Sequence, residues 1–222
     1  MEGIRACVFD AYGTLFDVHS AVGRLRPQLG PQADTLSQLW RTKQLEYSWL
    51  RALMGRHADF WQVTGEALDY ALARTGADAS LRAPLMQASL TLDAYPEVGD
   101  VLRRLRAAGL KLAILSNGEP AMLAAAVENA GIGALLDAVI SVEEAGVYKP
   151  DPRVYRLAVD RLAVRAEQIA FQSSNAWDVN GAACFGLRPV WINRFGAPAE
   201  RLPGDAEHEL QDLSGLPGLL DV

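Results

Sequence analysis

The stretch RACVFDAYGTLFD, residues 5–17, decides the fold. Its apolar run predicts a strand over Ile4 to Phe9, ending abruptly at Asp10. Gly13 and Thr14 follow where a turn would want them. Beyond this first strand the chain alternates apolar runs of strand length with helical patterns, as an α/β sheet does.

Four further apolar runs of strand length follow: Lys111 to Leu115, Ala138 to Val142, Ile169 to Phe171 and Pro189 to Ile192. Helical patterns with clear boundaries separate them. Pro96 sits where a helix should begin, Val98, Val101, Leu102 and Leu105 give it an apolar face, and Gly109 ends it. Pro120 to Gly131 and Pro152 to Leu162 repeat the design, the first with Met122, Leu123, Ala126 and Val127 inward. Strand and helix in alternation predict an α/β fold: a parallel sheet with helices on both faces.

From Val18 to Tyr95 that rhythm stops. No strand is evident; Leu36, Leu39, Trp40, Tyr47, Leu50 and Met54 recur at helical spacing, as do Leu68, Ala71 and Leu72. Connections in α/β units are typically about 2–6 residues, so this stretch is too long for an ordinary crossover. The expectation is a helical cap over 18–95, inserted after the first strand, on a core of 1–17 and 96–222. Crossover helices of one larger layer are the alternative. FGAPAERLPG, residues 195–204, reads as a surface loop.

Composition narrows the function. The 222 residues are half apolar and 22% charged, with a net charge of −6, enough for one full core carrying a smaller insertion. No basic stripe favours nucleic acid or an anionic membrane surface. No signal-peptide core or membrane-length apolar run occurs. Cys7 and Cys184 each lie among apolar residues and read as buried free thiols, with a reducing cytoplasm as the expected location.

Ligands of open parallel sheets bind at the carboxyl ends of the strands. Those ends carry Asp10; Ser116 and Asn117 in KLAILSNG; and Ser173, Ser174, Asn175 and Asp178 in IAFQSSNAWD. Lys149, in VYKPDP after the third strand, joins them. Each has a bland alternative. Asp10 could be a turn residue, Ser116 and Asn117 could cap the next helix, Lys149 could be solvated, and Asp178 could be a first-turn helix acid. Their convergence on one edge reads as a site.

These segments resemble the haloacid dehalogenase superfamily and, within it, the 2-haloacid dehalogenases. FDAYGTLFDVHS, WRTKQLEYSWLRALMGR, LKLAILSNG, VYKPDPRVY, SSNAWD and WINR carry the resemblance, from the start of the chain to about residue 194. D-x-Y-G-T alone identifies the superfamily; SSNAWD with WRTKQLEYSWLRALM is specific to the dehalogenase branch. The resemblance implies a Rossmann-like core with a helical cap, and conversion of short (S)-2-haloacids to (R)-2-hydroxyacids and halide. It implies Asp10 as nucleophile, Thr14 beside it, and Arg41 receiving the departing halide. Ser116 and Asn117 hold the substrate, Ser116 taking its carboxylate with backbone help near Ala11 and Tyr12. Lys149, Tyr155, Ser173, Asn175 and Asp178 match the remaining polar positions needed for activity. Leu45, Phe60 and Trp177, with Tyr12, match the apolar lining around the alkyl group. No metal or cofactor is implied. Family members are often homodimers, and Trp and Tyr of the cap could serve that contact or pack inside the cap. Thr42 stands where relatives carry Gln, which bears on pocket shape. Gln172 stands where an apolar strand residue is usual, away from the chemistry.

The chemistry suits these residues. A carboxylate is ionised at neutral pH and attacks without a base, and a neighbouring Lys149 favours that form. Attack on C2 expels halide and leaves an aspartyl ester, which water hydrolyses at the carboxyl carbon. C2 is attacked once, so it inverts. Arg41 suits a departing anion because a guanidinium stays charged and offers several donors. Asp178 is the choice for activating the water, with Lys149, Ser173 and Asn175 positioning it. A magnesium-dependent phosphatase of the same superfamily is the main alternative. Such enzymes place a second Asp two residues after the nucleophile, to protonate an alkoxide; here Tyr12 stands there, and halide needs no proton. SSNAWD supplies only Asp178 beside Asp10 for a hard cation. A dead binding module would lack the nucleophile or the Lys, and both are present.

Overall fold

A computed structural model describes all 222 residues. Six strands form one sheet: β1 (Ala6–Phe9), β2 (Lys111–Ser116), β3 (Ala138–Ser141), β4 (Ile169–Ser173), β5 (Arg188–Ile192) and β6 (His208–Leu210). Their order is β3-β2-β1-β4-β5-β6 and every pairing is parallel. The chain builds outward from β1 to β3, then returns to β4 on the other side of β1. The carboxyl end of β1 is therefore the switch point, where such sheets open a crevice.

Ten α-helices accompany the sheet. Five lie within residues 18–95: α1 (Ser20–Arg24), α2 (Arg26–Leu29), α3 (Ala33–Met54), α4 (Phe60–Thr75) and α5 (Arg82–Ala88). The others are α6 (Val98–Ala107), α7 (Pro120–Asn129), α8 (Pro152–Leu162), α9 (Ala176–Phe185) and α10 (Leu216–Leu219). The expected inward residues of α6 and α7 are all buried. α8 starts at Pro152, and the Asp151 carboxylate before it accepts the Arg153 N–H, a standard cap and first turn. α7 is capped by Glu119, which accepts from the N–H groups of Ala121 and Met122. Ser116 and Asn117 are thus not spent as that helix's caps. No helix is long and apolar enough to cross a membrane.

The stretch between β1 and β2 holds no strand. α3 and α4 pack against each other, with α1 and α5 beside them. The apolar stripe of α3 is buried only where other elements cover it. Leu36 and Trp40 lie inside, whereas Leu50 and Met54 are 44% and 64% exposed. The two ends of this stretch run side by side. Asp17 N–H donates to the Asp93 carbonyl (2.8 Å), Tyr95 N–H donates to the Leu15 carbonyl (3.0 Å), and Phe16 bridges antiparallel to Ala94.

Two details depart from the sequence reading. β6, with the sequence HEL, is a short edge strand without an apolar run to announce it. Cys7 is buried, its thiol pushed up to about 12 by burial, but Cys184 is exposed on α9. That helix, AWDVNGAACF, is apolar nearly all round, so composition did not show which side faces out. Gln172 is fully buried between Phe9 and Val190 in the sheet, and neither its amide oxygen nor its nitrogen has a hydrogen-bond partner.

Candidate active site

Asp10 continues β1 by one residue: its N–H donates to the Gln172 carbonyl at 2.8 Å. The ladder thereby fixes where the carboxylate leaves the sheet. Lys149 arrives from the loop after β3 and places Nζ 3.2 Å from Asp10 Oδ1 and 2.8 Å from Asp178 Oδ2. Only 1% of the Lys149 side chain is exposed. Tyr155, on α8, donates its hydroxyl to Asp178 Oδ1 at 2.7 Å. Gly181, one turn beyond Asp178 on α9, makes that approach possible, since a Cβ there would meet Pro150 and the Tyr155 hydroxyl at 2.6 Å.

The second oxygen of Asp10 is held from the β4 side. Asn175 Nδ2 donates to Oδ2 at 2.8 Å and to the Tyr12 carbonyl at 3.2 Å. Thr14 Oγ1 lies 3.3 Å from the same Oδ2 and accepts the Ser174 N–H at 2.8 Å. Ser173 Oγ accepts the Asn175 N–H at 3.1 Å, which fixes the turn carrying Asn175. Across the site, Arg41 on α3 donates to Asn175 Oδ1 at 3.4 Å. Asn117 Oδ1 accepts the Lys149 backbone N–H at 3.1 Å and so holds the lysine loop.

Burial sets the charges. Asp178 is pushed up to about 6, chiefly by burial, with Lys149 opposing. Burial alone would lower Lys149, but Asp10 and Asp178 together outweigh it and hold the lysine above its ordinary value. Tyr155 is raised well above the usual phenol range by burial and by Asp178, so it stays a donor. A buried lysine shared by two carboxylates keeps one anion aimed while leaving the other able to exchange a proton near neutrality. No three His, Cys, Asp or Glu side chains cluster closely enough to hold a metal ion.

Asp10, Thr14, Arg41, Lys149, Tyr155, Ser173, Asn175 and Asp178 thus form one connected hydrogen-bonded group. Asn117 joins it through the backbone of Lys149. Ser116 is buried beside it and accepts only the Gly118 N–H, at 3.1 Å. The N–H groups of Ala11 and Tyr12 donate to no backbone carbonyl. Tyr12 packs its ring 5.7 Å from that of Phe60, with its hydroxyl buried and unpartnered. Gly118 leaves the room: a Cβ there would meet the Tyr12 ring at 2.8 Å. Leu45 lies one turn beyond Arg41 on α3, and Trp177 meets Trp49 edge to face at 5.2 Å; neither touches the polar group through a hydrogen bond. Thr42 is exposed and spends its hydroxyl on the Gln38 carbonyl.

Several supporting residues escaped the sequence reading. Tyr148 donates to the Ala58 carbonyl beneath Phe60, and His57 meets Glu143 at 2.8 Å, both joining the α3–α4 loop to the core. Arg194 donates to the Thr14 carbonyl at 2.8 Å. A signal existed for it, since WINR closes the fifth strand as Asp10 closes the first.

Comparison with known proteins places this arrangement. Residues 4–186 match the family model described as haloacid dehalogenase-like hydrolase. (S)-2-haloacid dehalogenase 1 of Pseudomonas sp. (strain CBS-3) is 51% identical, over 99% of this chain and 98% of that protein. A crystal structure described as a dehalogenase is similar with a TM-score of 0.97 and 48% identity, covering 99% of this chain and 98% of the other. The L-2-haloacid dehalogenase of Xanthobacter autotrophicus, solved with chloropropionic acid covalently bound, is similar with a TM-score of 0.88 and 42% identity, covering 97% and 98% of the two chains. With a relative this similar along its whole length, the chain belongs to the haloacid dehalogenase-like hydrolases, in their (S)-2-haloacid dehalogenase branch.

Proposed function

We propose that this protein hydrolyses the carbon–halogen bond of short (S)-2-haloacids, giving (R)-2-hydroxyacids and halide through an ester on Asp10. The carrying observation is the buried Asp10 carboxylate, held on one oxygen by Lys149 and on the other by Asn175 and Thr14. It needs no base. One of its oxygens attacks C2, the C–O bond forms as the C–halogen bond breaks, and halide leaves with the electron pair, inverting C2.

Arg41 receives the halide. Its guanidinium makes one long hydrogen bond within the protein, which leaves donors for a departing anion. Ser116 and the free N–H groups of Ala11 and Tyr12 take the substrate carboxylate, with Asn117 beside them. Tyr12, Leu45, Phe60 and Trp177 surround the alkyl group. Water then adds to the carboxyl carbon of Asp10. Asp178 takes one of its protons, assisted by Lys149, Tyr155, Ser173 and Asn175, and returns it to the departing hydroxyacid oxygen.

In the same reading, residues 18–95 are a cap over a core of 1–17 and 96–222, supported by the side-by-side linkers at Leu15–Asp17 and Asp93–Tyr95. A cytoplasmic homodimer completes it, supported by two unpaired thiols and by exposed Leu50, Leu53 and Met54 on α3.

The test is halide release from the two enantiomers of 2-chloropropionate, with and without EDTA. Consumption of the (S) form alone, giving (R)-lactate, unchanged by chelator, is the expected result. Loss of activity to EDTA with recovery on Mg²⁺ would sink this reading and favour a phosphatase.

A further inference from the structure

Behind the Asp10 loop lies a second buried charge pair that the reaction above does not use. Arg194, just past the end of β5, puts Nη2 2.6 Å from Glu97 Oε1, with side chains only 8% and 14% exposed. This is a charge contact without hydrogen-bond alignment, since Glu97 Oε1 and Arg194 Nε both lack an aligned partner. The aligned bond goes elsewhere: Arg194 Nη2 donates to the Thr14 carbonyl at 2.8 Å. The guanidinium also stacks on Tyr95, its carbon 3.7 Å from the ring centre.

Those three partners belong to two segments. Thr14 is on the loop that carries Asp10; Tyr95 and Glu97 are on the linker returning from the helical stretch. The segments already share the Tyr95 N–H to Leu15 carbonyl bond. Thr14 is gripped at both ends, its carbonyl by Arg194 and its hydroxyl by the Ser174 N–H, with that hydroxyl 3.3 Å from Asp10 Oδ2. Burying a charge pair is expensive unless its geometry is well used. Here one guanidinium nitrogen serves both Glu97 and the Thr14 carbonyl while the flat face stacks on Tyr95, a stacking an ammonium does not reproduce.

We propose that Arg194 is a positioning residue for dehalogenation. It fixes the Thr14 peptide against the return linker, and through Thr14 it aims the Asp10 carboxylate at C2. This rests on the proposal that Asp10 is the nucleophile. A carboxylate that must attack in line with a leaving halide is sensitive to small displacements; about 1 Å can cost roughly 10²-fold.

The test is single-turnover halide release from (S)-2-chloropropionate with enzyme in saturating excess. Under that condition the first-order rate constant is independent of the fraction of competent enzyme, so a merely structural role would not move it. Arg194→Lys should lower the constant about tenfold or more, with the enzyme concentration giving half-saturation nearly unchanged. Glu97→Gln keeps the guanidinium but loses its counter-charge and should lower the constant about threefold; it decides the matter if Arg194→Lys does not fold. Constants within a factor of two of wild type in the folded variants would overturn the proposal while leaving the dehalogenase reading intact. A wild-type enzyme that releases no halide would remove both.

Discussion

Lys149 is 1% exposed and bonds two carboxylates at 3.2 and 2.8 Å, whereas Arg41, on the opposite wall, is half-buried and makes one hydrogen bond, of 3.4 Å. Both are cations beside Asp10. The sheet-edge wall is closed in that Asp10, Lys149 and Asp178 satisfy one another, so its charges are fixed before substrate arrives. The α3 wall keeps its donors unspent. The difference matches two demands of the proposed reaction: a nucleophile already aimed, and a receptor for an anion that exists only after the bond breaks.

Removing the cation from the closed wall should have the largest effect. Lys149→Met leaves Asp10 and Asp178 buried without their shared partner, and breaking a buried pair costs roughly 3–5 kcal/mol. Activity should fall about 10³-fold or more, with weaker thermal stability, in steady-state halide release and thermal melts. Activity within tenfold of wild type would mean the wall is not closed in the sense described.

Asp178→Asn probes the same wall at its second carboxylate. If Asp178 takes the proton from water, ester hydrolysis should slow by about 10²-fold or more, and the ester should accumulate on the Asp10 peptide in acid-quenched mass spectra. Asp178 lies at about 6, raised chiefly by burial. The wild-type hydrolysis step should therefore weaken as pH falls through about 6, where the carboxylate gains its proton and can no longer accept one. A hydrolysis step flat from pH 5 to 8 would assign the water to another group.

Arg41→Lys tests the open wall and should cost less, about tenfold, equivalent to about 1.4 kcal/mol. Charge is kept but the planar fork is lost. A variant within threefold of wild type would make Arg41 peripheral to halide departure.

The closed wall was also the more legible of the two. β1 and β4 are buried throughout, so their sequences run apolar, Gln172 apart, until the residues that line the site. Asp10, Ser116, Asn117 and the SSNAWD residues stood out as polar groups ending such runs, and Lys149 as a loop cation followed by Pro150 and Pro152. The site wall formed by α3 was identified by resemblance, since Arg41 and Leu45 look like ordinary helix residues. Helical spacing found α3 but not which part of its stripe is covered, because Leu50 and Met54 fit the periodicity and face outward. β6 gave no signal because a three-residue edge strand needs no apolar run. Arg194 escaped because a charged residue beyond a strand resembles any solvated arginine; its value comes from Thr14, Tyr95 and Glu97, which lie far away in sequence.

The central claim is that Asp10 attacks carbon rather than merely activating water, and isotope placement separates the two. In a single turnover with excess enzyme in ¹⁸O water, direct attack gives the product a hydroxyl oxygen from Asp10. Solvent oxygen enters the Asp10 carboxyl group instead. Mass spectrometry should then find an unlabelled hydroxyacid and a labelled Asp10 peptide. A general-base route gives the same inversion and the same dependence on Asp10, so stereochemistry and mutation do not distinguish it. Label in the hydroxyl of the first-turnover product, with none in the protein, would contradict the ester.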